Sequence, residues 1–333
     1  MNIKVPEYFK RFKCKADKCI DSCCVGWEIA VDEESVERFN SFGEKFSRNF
    51  KCNSYSCPEG VYIKTDCEGR CPYLDERSLC KIITEYGEGA VPYICREHPR
   101  YYNAYPSSVE GGIGLCCEEG ARLILENGGL FGEIQAERAL AIESEEDFLS
   151  FFDPLYELRE KIYDFVRTAH TPGEIISGLW HYAGRLTKHF DLASDCTLPD
   201  LSFECGLFPD ISLLLDCEFL DTGVKSRLEN AARHPSYDLP LEYTAYTKAL
   251  CCYFLHRYFL TGYVDGSPGA RLGLSALVPY AILSVTYSEE KYIIPEVAEV
   301  AKDISKNIEY STENEQLILD GVTDIFVKMH KEL

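Results

Sequence analysis

The cysteines are the residues of this chain whose type and spacing point most directly to chemistry. The 333-residue sequence contains 17 cysteines, and 12 of them lie within the first 117 residues. The first group, Cys14, Cys19 and Cys23-Cys24, places four thiols within eleven residues. Short loops bring several ligands to one centre at little cost in closure entropy. This spacing therefore favours metal chelation over simple packing.

A second group of cysteines follows in the same region, and its members are Cys71, Cys80, Cys95 and Cys117. An all-thiolate ligand set suits an iron–sulfur cluster or zinc. The paired C-x2-C arrangement that is typical of zinc is absent, and the spacing follows neither ferredoxin pattern. Cys19 and Cys23 begin the C-x3-C-x2-C pattern of radical S-adenosylmethionine enzymes, but residue 26 is Gly. The spacing alone leaves the metal open.

The other five cysteines are scattered over the rest of the chain, at Cys196, Cys205, Cys217, Cys251 and Cys252. Isolated cysteines of this kind are typical small buried residues. The change in cysteine density predicts a domain boundary near residue 130. We therefore expect a cysteine-rich metal domain over residues 1–130 and an all-helical domain over residues 131–333.

The charge balance limits the classes of partner. The chain has 34 Lys and Arg against 55 Asp and Glu, which gives a net charge of −21. Such a surface repels phosphate backbones, so nucleic-acid binding is not expected. A cationic partner is compatible with this charge.

The hydrophobic runs predict a cytoplasmic protein without a membrane partner. The first eleven residues contain no apolar segment of the kind that a signal peptide needs. The longest uncharged run, Leu272–Ser288, has 17 residues, fewer than the roughly 20 apolar residues of a membrane span. We expect a buried helix there.

The elements that must position the thiols form a mixed pattern in the N-terminal part. Residues 27–31 and 61–65 alternate in the manner of short strands, and Asp32 is placed to cap a following helix. Another helix is expected from Glu118, with acidic residues in its first turn. The N-terminal domain is therefore predicted to be α+β.

The C-terminal part has a helical period. Asp153 and Pro154 predict an N-cap followed by the first helical residue, and Thr171 with Glu174 predicts a capping box. Further helices are expected around residues 243–258, over 272–287 and from Thr312. The whole chain is thus predicted to be mainly α, with an α+β cysteine-rich metal-binding N-terminal domain and a helical C-terminal domain.

These motifs together resemble the flagellin lysine-N-methylase family. The segments that carry the resemblance are Phe12-Lys-Cys14, Cys19-Ile-Asp-Ser-Cys-Cys-Val-Gly-Trp27, Cys71-Pro-Tyr-Leu-Asp-Glu76, Leu79-Cys80, Cys95-Arg-Glu-His-Pro-Arg100 and Cys117-Glu-Glu-Gly-Ala-Arg-Leu-Ile-Leu125. The segment Tyr253–Leu260 is similar to the helical half of that family. The first half of the pattern is shared with a broader set of zinc- or iron-chelating proteins.

The resemblance implies a cytoplasmic enzyme that binds a [4Fe–4S] cluster and transfers methyl groups from S-adenosylmethionine to lysine side chains of flagellin. The cysteines that match those of the family are Cys14, Cys19, Cys23, Cys24, Cys71, Cys80, Cys95 and Cys117. One cluster takes at most four of these eight. Four more cysteines of the N-terminal part, Cys52, Cys57, Cys67 and Cys116, lie outside the motif, and Glu118 stands where the family typically has Pro. A second metal such as zinc therefore stays open.

Methyl transfer to lysine sets requirements for the site. The amine must be neutral to attack, yet the pKa of lysine is about 10.4. The site must therefore desolvate the ammonium group or supply a base. Tyr101 and Tyr102 flank the Cys95 segment and are candidate catalytic residues.

The methyl donor needs a binding site of its own. Residues 111–114, Gly-Gly-Ile-Gly, are followed by two cysteines instead of a βαβ unit, which argues against a class I methyltransferase loop. A cluster with one iron lacking a protein ligand could instead bind the amino and carboxylate groups of S-adenosylmethionine. Arg96 and Arg100 are candidate partners of that carboxylate, and Trp27 is a candidate cation–π partner of the sulfonium. The alternatives are a non-enzymatic zinc- or iron-chelating module and an electron-transfer protein.

Overall fold

The structure is a computed structural model that describes residues 2–20, 22–135, 149–192, 198–204 and 206–331. The chain forms two compact units. The helical unit comprises Met1–Phe12, Tyr102–Cys116 and Gly120–Leu333, and the cysteine-rich unit comprises Lys13–Tyr101 and Cys117–Glu119. The units alternate along the sequence, whereas cysteine density predicted one boundary near residue 130. Cys196 and Cys205 lie outside the described residues.

The strands of the described chain are β1 Asn2–Pro6, β2 Ile29–Val31, β3 Ser54–Cys57, β4 Gly60–Ile63, β5 Arg100–Ala104, β6 Val109–Ile113 and β7 Phe131–Gln135. The helices of the described chain are α1 Glu33–Ser41, α2 Glu44–Cys52, α3 Lys81–Tyr86, α4 Tyr93–Glu97, α5 Glu118–Asn127, α6 Leu149–Thr168, α7 Pro172–Leu192, α8 Thr222–Arg233, α9 Thr244–Tyr258, α10 Gly262–Asp265, α11 Pro268–Ser288, α12 Ile294–Glu309 and α13 Thr312–Lys331. The prediction of a mainly α chain with an α+β cysteine-rich part is confirmed at this level.

The cysteine-rich unit is built on a small antiparallel sheet in the order β2-β4-β3, with Ile29 opposite Ile63. The predicted strands at residues 27–31 and 61–65 form, each shorter than predicted. The predicted cap is also present, since the Asp32 side chain accepts from the backbone N–H of Ser35 at the start of α1. Apolar residues from the sheet, α1 and α2 form its core, and they include Phe39. Several cysteines pack in or against this core.

The helical unit contains a four-stranded sheet in the order β5-β6-β1-β7, in which β1 is parallel to β6 and antiparallel to β7. The glycines of the Gly-Gly-Ile-Gly segment lie within and just after strand β6, which is buried along its whole length. The segment leads from β6 to α5, but the next strand, β7, runs antiparallel to β6, so the three elements do not form the parallel βαβ unit of a class I methyltransferase.

Helix α11 lies at the centre of the helical unit, where it packs against α7, α9 and α13. It is long and apolar enough to cross a membrane, but the apolar window is 100% buried inside the protein. The prediction of a buried helix over residues 272–287 is therefore confirmed.

Two capping predictions have different outcomes. The hydroxyl of Thr171 accepts from the backbone N–H of Glu174 (3.1 Å) at the start of α7, as the capping box predicted. Pro154 does not begin a helix, because α6 starts at Leu149 and contains Pro154. The earlier start places Phe152 in the core, against Tyr105 at 5.4 Å between ring centroids. Burial of this aromatic ring outweighs the local preference of proline for the first turn.

Candidate metal centre

Backbone pairing brings the first and second cysteine groups together. The backbone N–H of Cys71 donates to the carbonyl oxygen of Cys24 (3.0 Å). The same two segments continue through a bridge between Val25 and Arg70. Gly69 has a φ of +72°, and a Cβ on it would lie 3.2 Å from the backbone nitrogen of Gly26. This close approach requires glycine at position 69.

A tight loop then returns the chain from Cys71 to Cys80. Asp75 Oδ1 accepts from the backbone N–H groups of Arg77 (2.8 Å) and Leu79 (2.9 Å), which fixes the turn. The turn allows a bridge between Leu74 and Cys80. Cys80 lies directly before α3. Eight residues that separate two cysteines in sequence therefore form a compact hairpin-like connection.

Cys95 comes from α4, which Asp32 holds in place. The carboxylate of Asp32 accepts from the backbone N–H of Ser35 (2.9 Å) in α1 and from that of Tyr93 (2.8 Å) at the start of α4. These hydrogen bonds lower the pKa of Asp32 although partial burial opposes them. One carboxylate thus connects the sheet and α1 to the helix that carries a candidate ligand.

The pKa values of Cys24, Cys71, Cys80 and Cys95 are raised, and burial and neighbouring thiols, Cys23 among them, contribute to the shifts. A hydrogen bond with Cys23, then burial, then the Cys71 and Cys95 thiols raise the pKa of Cys24. Burial raises the pKa of Cys71 to about 11, and Cys80 contributes further. Burial also raises the pKa of Cys95, with Cys71 and Cys80 adding to the effect. A metal centre here would have to displace the thiol protons.

These five thiols, Cys23, Cys24, Cys71, Cys80 and Cys95, are called the thiol group below. Within the described ranges, no three His, Cys, Asp or Glu side chains converge closely enough to hold a single metal ion. The ligands of an iron–sulfur cluster bind different iron atoms, so they need not converge on one point. Of these thiols Cys71 is buried and Cys23 is exposed, and the other three are partly exposed. The group therefore fits a cluster in donor chemistry and in number.

The other three predicted ligands have different surroundings. The Cys19 thiol donates to Glu118 Oε2 (3.2 Å), which also accepts from the backbone N–H of Ile20 (2.9 Å). Lys15 forms an ion pair with the same carboxylate. Burial opposes ionisation of Glu118, but the hydrogen bonds from Lys15 and Ile20 lower its pKa. Cys117 directly precedes Glu118, and Cys14 is exposed with its sulfur accepting from Ala16 N–H.

The predicted cofactor residues lie in the cysteine-rich unit. Trp27 packs against the core beside the thiol group, and its Nε1–H donates to the Cys23 carbonyl (2.5 Å). One face of its indole stacks on His98, with 5.1 Å between ring centroids. Arg96 lies over the Tyr93 ring at 5.4 Å and 3.7 Å from Glu97. Arg100 begins β5. Their roles toward S-adenosylmethionine stay predictions.

The two candidate catalytic tyrosines do not share a site. Tyr101 and Tyr102 are consecutive residues of β5, so their side chains point to opposite faces of the strand. Tyr101 belongs to the cysteine-rich unit, whereas Tyr102 belongs to the helical unit and contacts Phe9 edge-on at 6.2 Å. Only one of these two rings can face a given reacting group.

Two contacts were not predicted from the sequence. The stacking of His98 on Trp27 joins residues 71 positions apart, which no local pattern indicates. Glu118 was noted as a departure from the family pattern, but its contacts with Lys15 and Cys19 were not predicted. An acidic residue at the first position of a helix was the signal available for Glu118.

An Asp32→Ala variant is expected to lower the free energy of unfolding by about 1–2 kcal/mol and to reduce bound metal, because α4 loses its connection to α1. The contribution of Asp32 should be present above the ordinary pKa of aspartate and disappear as pH falls through its lowered folded-state pKa. Urea titration and metal analysis provide the test. Asp221→Ala, which removes the cap of α8, is the matched control. Equal metal loss in both variants would contradict this role.

Comparison with known proteins gives three relatives. A lysine-N-methylase of Salmonella typhimurium (strain LT2) is 29% identical over 136 residues, which cover 38% of this chain and 33% of the relative. A lysine-N-methylase of Salmonella choleraesuis (strain SC-B67) is 28% identical over the same shares. The flagellar biosynthetic protein FliU of Salmonella muenchen is 28% identical over 136 residues, 79% of its length.

The predicted resemblance to the lysine-N-methylase family is therefore confirmed. The matched part spans about a third of the length of either lysine-N-methylase. No family model matches the chain. No solved structure matches it either.

Proposed function

We propose that this chain transfers methyl groups from S-adenosylmethionine to lysine side chains of flagellin, and that it does so in the cytoplasm with a [4Fe–4S] cluster. The observation that carries the proposal is the thiol group, joined by the backbone pairing of Cys24 with Cys71, in a chain similar to lysine-N-methylases. The name of the FliU relative supports a flagellar substrate.

The thiol group would supply the cluster ligands. A cluster with one iron that lacks a protein ligand would supply, when bound, a chelating position for the methionine part of the methyl donor. Such a cluster takes three protein thiols, one on each of the other irons, and the thiol group contains five. Cys14, Cys19 and Cys117 are then available for other roles, including a second metal such as zinc.

The protein must orient the donor and deprotonate the acceptor. Arg96 and Arg100 are placed on α4 and β5, on either side of His98 and Pro99, where guanidinium groups could pair with the donor carboxylate. Trp27 stacks on His98 beside the thiol group, and we assign it the cation–π contact with the sulfonium. Only about one lysine in a thousand is neutral at pH 7.4. Transfer therefore needs a desolvated lysine amine or a base within hydrogen-bond reach.

The test uses the full chain purified without oxygen. Incubation with S-adenosylmethionine and flagellin should add methyl masses to flagellin lysines, measured by peptide mass spectrometry. Flagellin with acetylated lysines is the control and should gain none. Iron and sulfide analysis of the same preparation should find both elements, and zinc found in addition would identify the second metal.

The opposite results identify the alternatives. A preparation that neither binds S-adenosylmethionine in a calorimetric titration nor changes flagellin would be a metal-chelating module. Redox cycling of the cluster without donor binding would indicate an electron-transfer protein. In either case the methyltransferase proposal fails.

A further inference from the structure

An exposed aromatic surface of the helical unit has no role in the chemistry described above. It is called the tyrosine patch and consists of Leu241, Tyr243, Tyr246, Tyr287, Tyr292 and Ile293. The ring of Tyr243 is buried, and its centroid lies 6.1, 6.3 and 5.8 Å from those of Tyr246, Tyr287 and Tyr292. Large hydrophobic side chains around Tyr243 are open to solvent, and 68% of Leu241 and 58% of Ile293 are exposed.

Hydrogen bonds hold the patch in one conformation. The Tyr243 hydroxyl donates to the Lys291 carbonyl (2.6 Å), and the Tyr246 hydroxyl donates to the Tyr292 carbonyl (2.9 Å). Glu296 accepts from the backbone N–H of Tyr292 (3.1 Å). The connection between α11 and α12 is therefore fixed, and a ligand would lose little conformational freedom of the protein on binding.

The charge around the patch is negative. Glu242 and Glu290 are exposed. Burial raises the pKa of Tyr246, and the nearby charge of Glu296 raises it further. The one cation within the connection, Lys291, pairs with Glu289 at 3.1 Å and with Glu299 at 3.5 Å. Aromatic faces beside carboxylates attract ammonium and guanidinium groups.

The same charge argues against two other occupants. A second copy of this chain carries the same net charge of −21 and would bring acidic surface against acidic surface. An anionic membrane surface would be repelled in the same way. A cationic segment of another protein is the occupant that the patch fits.

We propose that the tyrosine patch binds a lysine-bearing segment of the protein substrate, through cation–π contacts with Tyr287 and Tyr292 and through the charge of Glu242. The choice of lysine as the cation rests on the proposed function. The patch would act in substrate binding, away from the thiol group in sequence and in a different unit.

The test measures binding directly and does not depend on methyl transfer. The probe is a fluorescent peptide of alternating lysine and glycine, and the same peptide with acetylated lysines is its uncharged form. Fluorescence anisotropy gives the dissociation constant for the full chain. Wild-type protein should bind the lysine peptide at least about tenfold more tightly than the acetylated one, because acetylation removes the cation.

A Tyr287→Ala/Tyr292→Ala variant should weaken binding of the lysine peptide about 5- to 20-fold, as expected for the loss of two exposed cation–π contacts. The substitutions leave the backbone in place, so the carbonyl of residue 292 can still accept from the Tyr246 hydroxyl. Glu242→Lys, on an exposed side chain, should also weaken binding. Tyr237→Ala is the matched control, since Tyr237 is 60% exposed, lies in the same unit and is outside the patch.

Unchanged binding in both patch variants would overturn the inference, and so would equal loss in Tyr237→Ala. Wild-type binding that does not distinguish the acetylated peptide would overturn it as well. Methyl transfer to flagellin is measured separately as KM and kcat, and the patch variants should raise KM with little change in kcat. Absence of transfer with patch-dependent peptide binding intact would reject the proposed function and retain the patch.

Discussion

A Cys95→Ser variant is expected to contain at least about tenfold less iron than the wild type. Mutation of a residue that only hydrogen-bonds to a metal ligand already lowers metal affinity about ten- to hundred-fold, and loss of the ligand itself should cost no less. Cys95 is the natural choice, since burial raises its pKa and three other members of the thiol group, Cys71, Cys80 and Cys23, add to the effect. The measurement is iron and sulfide content together with absorbance at about 400 nm, the region of iron–sulfur charge transfer.

The matched control for Cys95→Ser is Cys217→Ser. Cys217 is buried in the helical unit, and burial raises its pKa to about 11, so both variants place a hydroxyl where a buried thiol was. The control should retain its iron. Iron loss in both variants would mean that the effect is unfolding, and iron retention in Cys95→Ser would remove Cys95 from the ligand set.

A Cys19→Ser variant tests how the eight candidate cysteines divide. Its thiol donates to Glu118, and a serine hydroxyl can make the same hydrogen bond. If the thiol group alone holds the cluster, this variant should keep most of its iron. Loss equal to that of Cys95→Ser would place Cys19 among the ligands and would reject the division.

Local signals in the sequence were sufficient for the parts of the fold that depend on neighbouring residues. The cap at Asp32 follows from a short polar side chain before a helical pattern, and the buried helix α11 follows from a continuous apolar run. The start of α6 could not be predicted in this way. It depends on packing of Phe152 against Tyr105, a residue 47 positions away, and tertiary packing overrides the local preference of Pro154.

The candidate site was predictable in residue type but not in grouping. Spacing showed that the first cysteines lie close together, because four of them fall within eleven residues. The contact between Cys24 and Cys71 instead depends on backbone pairing across 47 positions and on glycine at position 69. Neither feature has a periodic signal. The contact of Cys19 with Glu118 likewise depends on a pair 99 positions apart.

A Glu110→Ala variant should show the largest loss of stability, about 3–5 kcal/mol, because the buried charge of Arg159 loses its two short hydrogen bonds and keeps only the Glu160 carboxylate at 3.9 Å. Both side chains have no solvent exposure. Arg159 Nη1 donates to Glu110 Oε2 (2.7 Å), and Nη2 donates to Oε1 (2.5 Å). Burial opposes ionisation of Glu110, but Arg159 lowers its pKa. The pair should therefore stabilise the fold above the ordinary glutamate pKa and lose this effect as pH falls through the lowered folded-state pKa.

The measurement can be confined to the helical unit, since the chain has two tryptophans and Trp180 is buried there. Urea titration followed by Trp180 fluorescence, in a Trp27→Phe background, reports on this unit. Glu229→Gln is the control, because Glu229 is 38% exposed where it pairs with Arg233 and should contribute about 0–1 kcal/mol. A Glu110→Leu/Arg159→Leu variant should be more stable than Glu110→Ala, because it removes the buried charge and fills the space with apolar atoms. If the double variant is instead less stable than Glu110→Ala, the loss comes from missing contacts and the buried charge is not its cause.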